Sequence, residues 1–138
     1  HAMSSKIGQW AILERNVCVT RFIPAGVSRN LTEEEMHHYR AVQPNRSARR
    51  GAAEFPRQLT RAQPWLSSLE RAVRDVLSDK PLLLVWGMRD QAFSPGWCLP
   101  HWTQAFPDHE LIELPDAKHY IQEDAPHEIA AAITQRFG

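Results

Sequence analysis

The sequence predicts an α/β fold built on a parallel pair of strands and preceded by a helical segment, and three features carry that prediction. An unbroken apolar run, Leu82-Leu83-Leu84-Val85-Trp86, closes on Gly87. A second strand pattern, Glu110-Leu111-Ile112-Glu113-Leu114, stops at Pro115-Asp116. The chain between them suits a crossover helix, starting between Ser94 and Pro100 and running to Phe106-Pro107. A run without polar alternation suits a strand covered on both faces, as in a parallel sheet. Strand, helix, strand and a final helix make half of a doubly wound unit. Two such strands are a poor sheet alone, so further strands are expected from outside this sequence.

The remaining elements follow from local signals. Asp124-Ala125-Pro126 opens the last helix, with Pro126 at a first-turn position, and the spacing predicts that Ile129, Ile133 and Phe137 are buried. Composition shifts once, near Pro81, which divides the chain into a helical segment over 4–80 and an α/β segment over 81–138. His1-Ala2-Met3 reads as a cloning remnant. Upstream, Val17-Cys18-Val19-Thr20 is the one strand-like stretch. Thr32, followed by Glu33, Glu34 and Glu35, marks a helix start: the hydroxyl can cap free amides, and the carboxylates complement the positive end of the dipole. Pro44-Asn45 ends that helix. A further helix is expected over Arg61 to Leu77, where Trp65, Leu66, Leu69, Val73, Val76 and Leu77 recur at helical spacing and Pro64 falls in the first turn.

Composition excludes several function classes. Sixteen basic residues balance sixteen acidic ones, so the basic excess of a nucleic-acid or anionic-membrane surface is missing. No apolar run approaches the roughly 20 residues needed to span a bilayer. Cys18 and Cys98 are too few for a disulfide framework or a zinc cluster, and as reduced thiols they fit a cytoplasmic protein. No metal or cofactor is expected. His37-His38 resembles half a metal site, but neighbouring residues on a helix point in different directions, so a solvated face is the better reading. Arg46, Arg49, Arg50, Arg57 and Arg61 are read as a solvated surface with local carboxylate partners.

In open α/β sheets functional groups gather beyond the carboxyl ends of the strands. Asp90 lies a few residues past the first strand and His119 just past the second. Adjacent strands run about 5 Å apart, so loops leaving the same edge can set a carboxylate against an imidazole. That pair is two-thirds of a nucleophilic triad: the acid fixes the tautomer and the other ring nitrogen takes a proton. Spacing alone favours the plainer reading, a turn-forming Asp90 and a polar loop His119.

Trp86-Gly87-Met88-Arg89-Asp90-Gln91-Ala92-Phe93 and, further on, the stretch from Asp116-Ala117-Lys118-His119 to Asp124-Ala125-Pro126 resemble the C-terminal signature of haloalkane dehalogenases within the α/β-hydrolase superfamily. Leu31 to Arg40, Ala48 to Gly51 and Phe55-Pro56-Arg57 resemble the second half of their helical cap. The resemblance implies a partial α/β-hydrolase fold: a cap segment over 4–80, then a core segment over 81–138. It implies Asp90 as triad acid and His119 as base, and places Trp10 where some dehalogenases hold the departing halide with an indole N–H; core packing is the alternative for Trp10. Lys118 departs from the glycine common before the base. The family nucleophile is an aspartate that forms an alkyl ester, which His-activated water then hydrolyses. No G-x-S-x-G or G-x-D-x-G occurs here, so this chain alone is expected to be inactive. The expected partners are a missing N-terminal hydrolase segment or a second copy of the chain, with a small apolar substrate only in the full-length enzyme. The alternatives are an epoxide hydrolase or serine esterase fragment, or a non-catalytic module that self-associates through its sheet edge. Against the epoxide hydrolase, only Tyr39 precedes Pro81, where that family uses two cap tyrosines.

Overall fold

Ser5 opens the first long helix. Its hydroxyl accepts the Gly8 amide at 3.1 Å and so satisfies one of the unpaired donors at the start of α1 (Lys6–Arg15). A short 3-10 turn (Ala2–Ser4) precedes it. The computed structural model describes residues 2–138, so His1 of the expected remnant lies outside the described residues. α1 stops at Asn16, whose left-handed backbone (φ 49°) is one that short polar residues tolerate.

Val17 to Thr20, expected as a strand, is helical instead. Cys18–Phe22 winds as a π-helix and continues into α2 (Ile23–Ala25). β-branched residues favour a strand only where a neighbour completes the ladder. Among the described residues the strands are β1 (Leu82–Gly87) and β2 (His109–Leu114), and they pair with each other. Val19 is buried in the helical form.

α3 (Glu33–Ala41) starts as expected. The Thr32 hydroxyl accepts the Glu35 amide, and the Glu35 carboxylate accepts the Thr32 amide at 2.7 Å, a reciprocal capping box. α4 (Arg50–Arg61), unassigned from the sequence, carries Pro56 in its interior. α5 (Gln63–Leu77) matches its expected span, with Pro64 in the first turn. Its apolar face is open: Trp65, Leu69, Val76 and Leu77 are exposed. No helix of the described residues is long and apolar enough to cross a membrane.

β1 and β2 run parallel, with Leu82 opposite His109 and Gly87 opposite Leu114. α6 (Pro95–Ala105) is the crossover; α7 (Ile121–Asp124) and α8 (Pro126–Phe137) follow β2. Leu114, Ala117 and Ala125 form the core here, with Val85, Ile112, Ile121 and Ile129 packed against it. Pro126 sits in the first turn of α8 as expected. Ile133 and Phe137, expected to be buried, are exposed; Ala132 is the buried residue of that helix. A helix packed along a narrow strip of two strands buries a narrower face than periodicity alone suggests.

The residues form two compact units that interleave in sequence. The first runs to Ala25 and resumes over Asn30–Ser68; the second takes Gly26–Arg29 and Leu69–Gly138. The compositional break at Pro81 therefore separates α5 from β1, within the second unit.

Candidate active site

Two loops leave the carboxyl edge of the parallel pair, and backbone hydrogen bonds fasten them together. The Met88 amide donates to the Leu114 carbonyl at 3.0 Å, and the Arg89 amide donates to the Ala117 carbonyl at 3.0 Å. Gly87 makes this approach possible. A Cβ at that position would collide with the carbonyls of Lys118 and Ala117, so only glycine lets the second loop pass.

That fastening sets Asp90 beside His119. His119 Nδ1 lies 3.0 Å from Asp90 Oδ2. The other carboxylate oxygen, Oδ1, accepts the amides of Ala92 at 2.7 Å and Phe93 at 3.0 Å. Asp90 is buried, 8% exposed, while the His119 side chain is 31% exposed, so the acid is enclosed and the imidazole is reachable. Burial alone pushes the Asp90 carboxyl upward. The hydrogen bonds from His119 and from the amides of Phe93 and Ala92 outweigh it, and the net shift is downward. An ionised Asp90 can only accept, so Nδ1 carries the proton and Nε2 is left as the basic nitrogen.

Ring contacts complete the orientation. The Phe93 ring lies 5.3 Å from the imidazole, and the Tyr120 ring 5.0 Å from it, near edge-on. The Trp86 indole N–H donates to the Phe93 carbonyl at 3.1 Å, which pins the turn that supplies two of the bonds to Asp90. Burial pushes the Cys98 thiol up and the nearby Asp90 charge adds to this, so Cys98 stays a thiol and is a poor candidate nucleophile.

The loop carrying His119 is also held from its far side. Asp124 accepts the Lys118 amide at 2.9 Å with one oxygen and the Ser28 amide at 2.8 Å with the other. The Tyr120 amide donates to the Gly26 carbonyl at 2.9 Å. Sequence reasoning missed this strap, residues 26–29, because its partners lie 88 to 96 positions away.

Of the other residues singled out from the sequence, Trp10 belongs to the first unit. It lies on α1, half exposed, with the Arg15 guanidinium 5.4 Å from its ring centre, and with Lys6, Leu13 and Arg57 it lines an open cavity of about 350 Å³. His37 and His38 are exposed positions of α3. Arg46 pairs with Glu14, and Arg57 and Arg61 pair with Glu54, as read. Arg49 departs from that reading: half-buried, it donates to the carbonyls of Leu13, Glu14, Gln43 and Pro44 rather than to a carboxylate. Among the described residues no cluster of His, Cys, Asp and Glu has the makings of a metal site.

A carboxylate-oriented imidazole at the carboxyl edge of a parallel sheet has the geometry that acid–base chemistry needs. Residues 22–126 match the family model described as alpha/beta hydrolase fold, and the chain belongs to that family. Within it, the similarity is to the C-terminal part of haloalkane dehalogenases. Haloalkane dehalogenase 2 of Mycobacterium tuberculosis is 56% identical over 136 residues, which are 99% of this chain and 48% of the relative. A haloalkane dehalogenase of Bradyrhizobium diazoefficiens is 33% identical over 132 residues, 91% of this chain and 42% of that protein. A crystal structure of an ancestral haloalkane dehalogenase superposes with a TM-score of 0.87 at 32% identity, covering 97% of this chain and 48% of that one. The chain thus spans about half the length of the relatives it matches.

Proposed function

We propose that this chain supplies the acid, Asp90, and the base, His119, of a haloalkane dehalogenase-like hydrolase whose nucleophile comes from residues outside this sequence. The observation that carries the reading is the 3.0 Å contact between His119 Nδ1 and a buried, ionised Asp90. In the complete site a carboxylate nucleophile displaces halide from a small apolar substrate. His119 Nε2 then takes a proton from the water that cleaves the resulting ester, and Asp90 stabilises the imidazolium that forms. Neither step needs a metal or cofactor. Trp10 is carried as a halide-binding candidate on the resemblance, and a cytoplasmic location on the two free thiols.

The test is a chimera in which this chain replaces the matching 136 residues of the M. tuberculosis relative. Halide release is expected from the chimera, none from the isolated chain, and none from the chimera carrying His119→Ala. A folded chimera without halide release, or an isolated chain whose hydrolysis survives His119→Ala, would sink the reading.

A second reading, self-association, is favoured by the exposure of large apolar side chains, including Trp65, Val76, Trp97 and Trp102. Light scattering across a concentration series separates it: a dimer supports it, and a monomer at every concentration ends it.

A further inference from the structure

We propose that Asp124 is a positioning residue for His119, acting by tying the base-bearing loop to the strap formed by residues 26–29. The proposal rests on the reading of His119 as a base, and its geometry is independent of any substrate. Both flanks of His119 are fastened to the same place. On one side the Lys118 amide donates to Asp124 Oδ2 at 2.9 Å; on the other the Tyr120 amide donates to the Gly26 carbonyl at 2.9 Å. Asp124 Oδ1 takes the Ser28 amide at 2.8 Å, so one carboxylate spans the loop and the strap.

Further bonds hold the strap in register. The Ser28 hydroxyl donates to the Asp116 carbonyl. Arg29 donates through Nε to the Glu123 carbonyl at 3.0 Å and pairs through Nη2 with the Glu123 carboxylate at 3.1 Å. Val27, between Gly26 and Ser28, is 2% exposed. A backbone segment so anchored cannot shift without moving the peptide units on either side of His119. Asp90 orients the imidazole from one end and Asp124 fixes the backbone that presents it.

The chemistry requires a carboxylate. Two amide donors meet two acceptor oxygens, and an asparagine of the same shape would turn N–H groups toward one of them. Asp124 caps no helix here, since the residue preceding α8 is Ala125 and makes no side-chain cap.

The test is Asp124→Asn in the whole chain, read by proton and nitrogen NMR of the histidine ring and by amide exchange. In the unaltered chain a downfield His119 Nδ1 proton is expected, lost on Asp90→Asn. In Asp124→Asn the exchange of the Lys118 and Ser28 amides should quicken about tenfold or more, the scale of one lost charge-assisted hydrogen bond, and the Nδ1 proton should broaden or vanish. Thr32→Ala removes only the cap of α3 and should leave that proton in place. If Asp124→Asn lowers stability but leaves the Nδ1 proton unchanged, the residue is merely structural and the proposal is overturned. If the proton is absent from the unaltered chain, the acid–base pair itself is wrong and both readings fall. Should Asp124→Asn not fold, Asp124→Glu keeps both oxygens on a longer arm and is expected to perturb the same proton; an unchanged signal there overturns the proposal equally.

Discussion

Two places, one in each compact unit, solve opposite backbone problems with opposite charges. In the first, Arg49 collects carbonyls: Leu13 and Glu14 from the last turn of α1, and Gln43 and Pro44 from the chain just past α3. In the second, carboxylates collect amides: Asp90 those of Ala92 and Phe93, Asp124 those of Lys118 and Ser28. Helix ends running out at their C-termini leave acceptors without partners, and a forked cation answers several at once. Loops turning back toward a sheet edge leave donors, and a carboxylate with two oxygens answers those. The difference has a functional side, since Asp90 has one oxygen engaged by amides and the other given to His119. The same device that closes a loop aims a base.

The strongest way to break this contrast is at Asp90. In the chimeric enzyme, Asp90→Asn keeps the size of the side chain but removes the acceptor that selects the tautomer. A loss of roughly 10³- to 10⁴-fold in kcat is expected, the scale seen when a triad acid is replaced in this way; a loss under tenfold would mean that the pair does not act as a triad. The matching change in the first unit is Arg49→Ala, which strands several carbonyls and should cost about 2–3 kcal/mol in denaturant unfolding. Arg49→Lys should recover only part of that, because an ammonium lacks the planar fork. Full recovery would remove the fork from the explanation.

Gly87→Ala probes the second unit without touching a charge. Its Cβ would press on the Lys118 and Ala117 carbonyls, and overpacking of this kind costs about 1–3 kcal/mol. The displaced loop should also weaken the His119 contact, visible in the Nδ1 proton. Thr32→Ala should cost about 1 kcal/mol, confined to fraying at the start of α3 in amide exchange. The smallest effect is in acid. The Asp90 carboxyl is held below its ordinary value in the folded chain, so its contribution is complete above the unfolded value of about 3.9 and drains away as pH falls through the lower folded value. Asp90→Asn should therefore flatten the acid limb of the stability curve below about pH 4 and leave its slope near neutrality unchanged.

Short-range chemistry dictates the features that could be read before any contact was known. The Leu82–Trp86 run, the Thr32 cap, the periodicity of α5, the first-turn Pro126, and Asp90 and His119 beyond the two strands were all legible, because each rests on residues a few positions apart. Tertiary structure decided the rest. Val17 to Thr20 had strand-forming side chains but, among the described residues, no neighbouring strand to pair with, and became helical. α4 hid behind Pro56. Arg49 looked like its surface neighbours until the Leu13 and Glu14 carbonyls, 36 and 35 residues away, joined those of nearby Gln43 and Pro44 around it, and Asp124 looked like a helix start until Ser28, 96 residues away, brought it a second amide. Which backbone donors and acceptors are left over is settled only when segments far apart in sequence are brought together, and the side chain that satisfies them carries no mark of it beforehand.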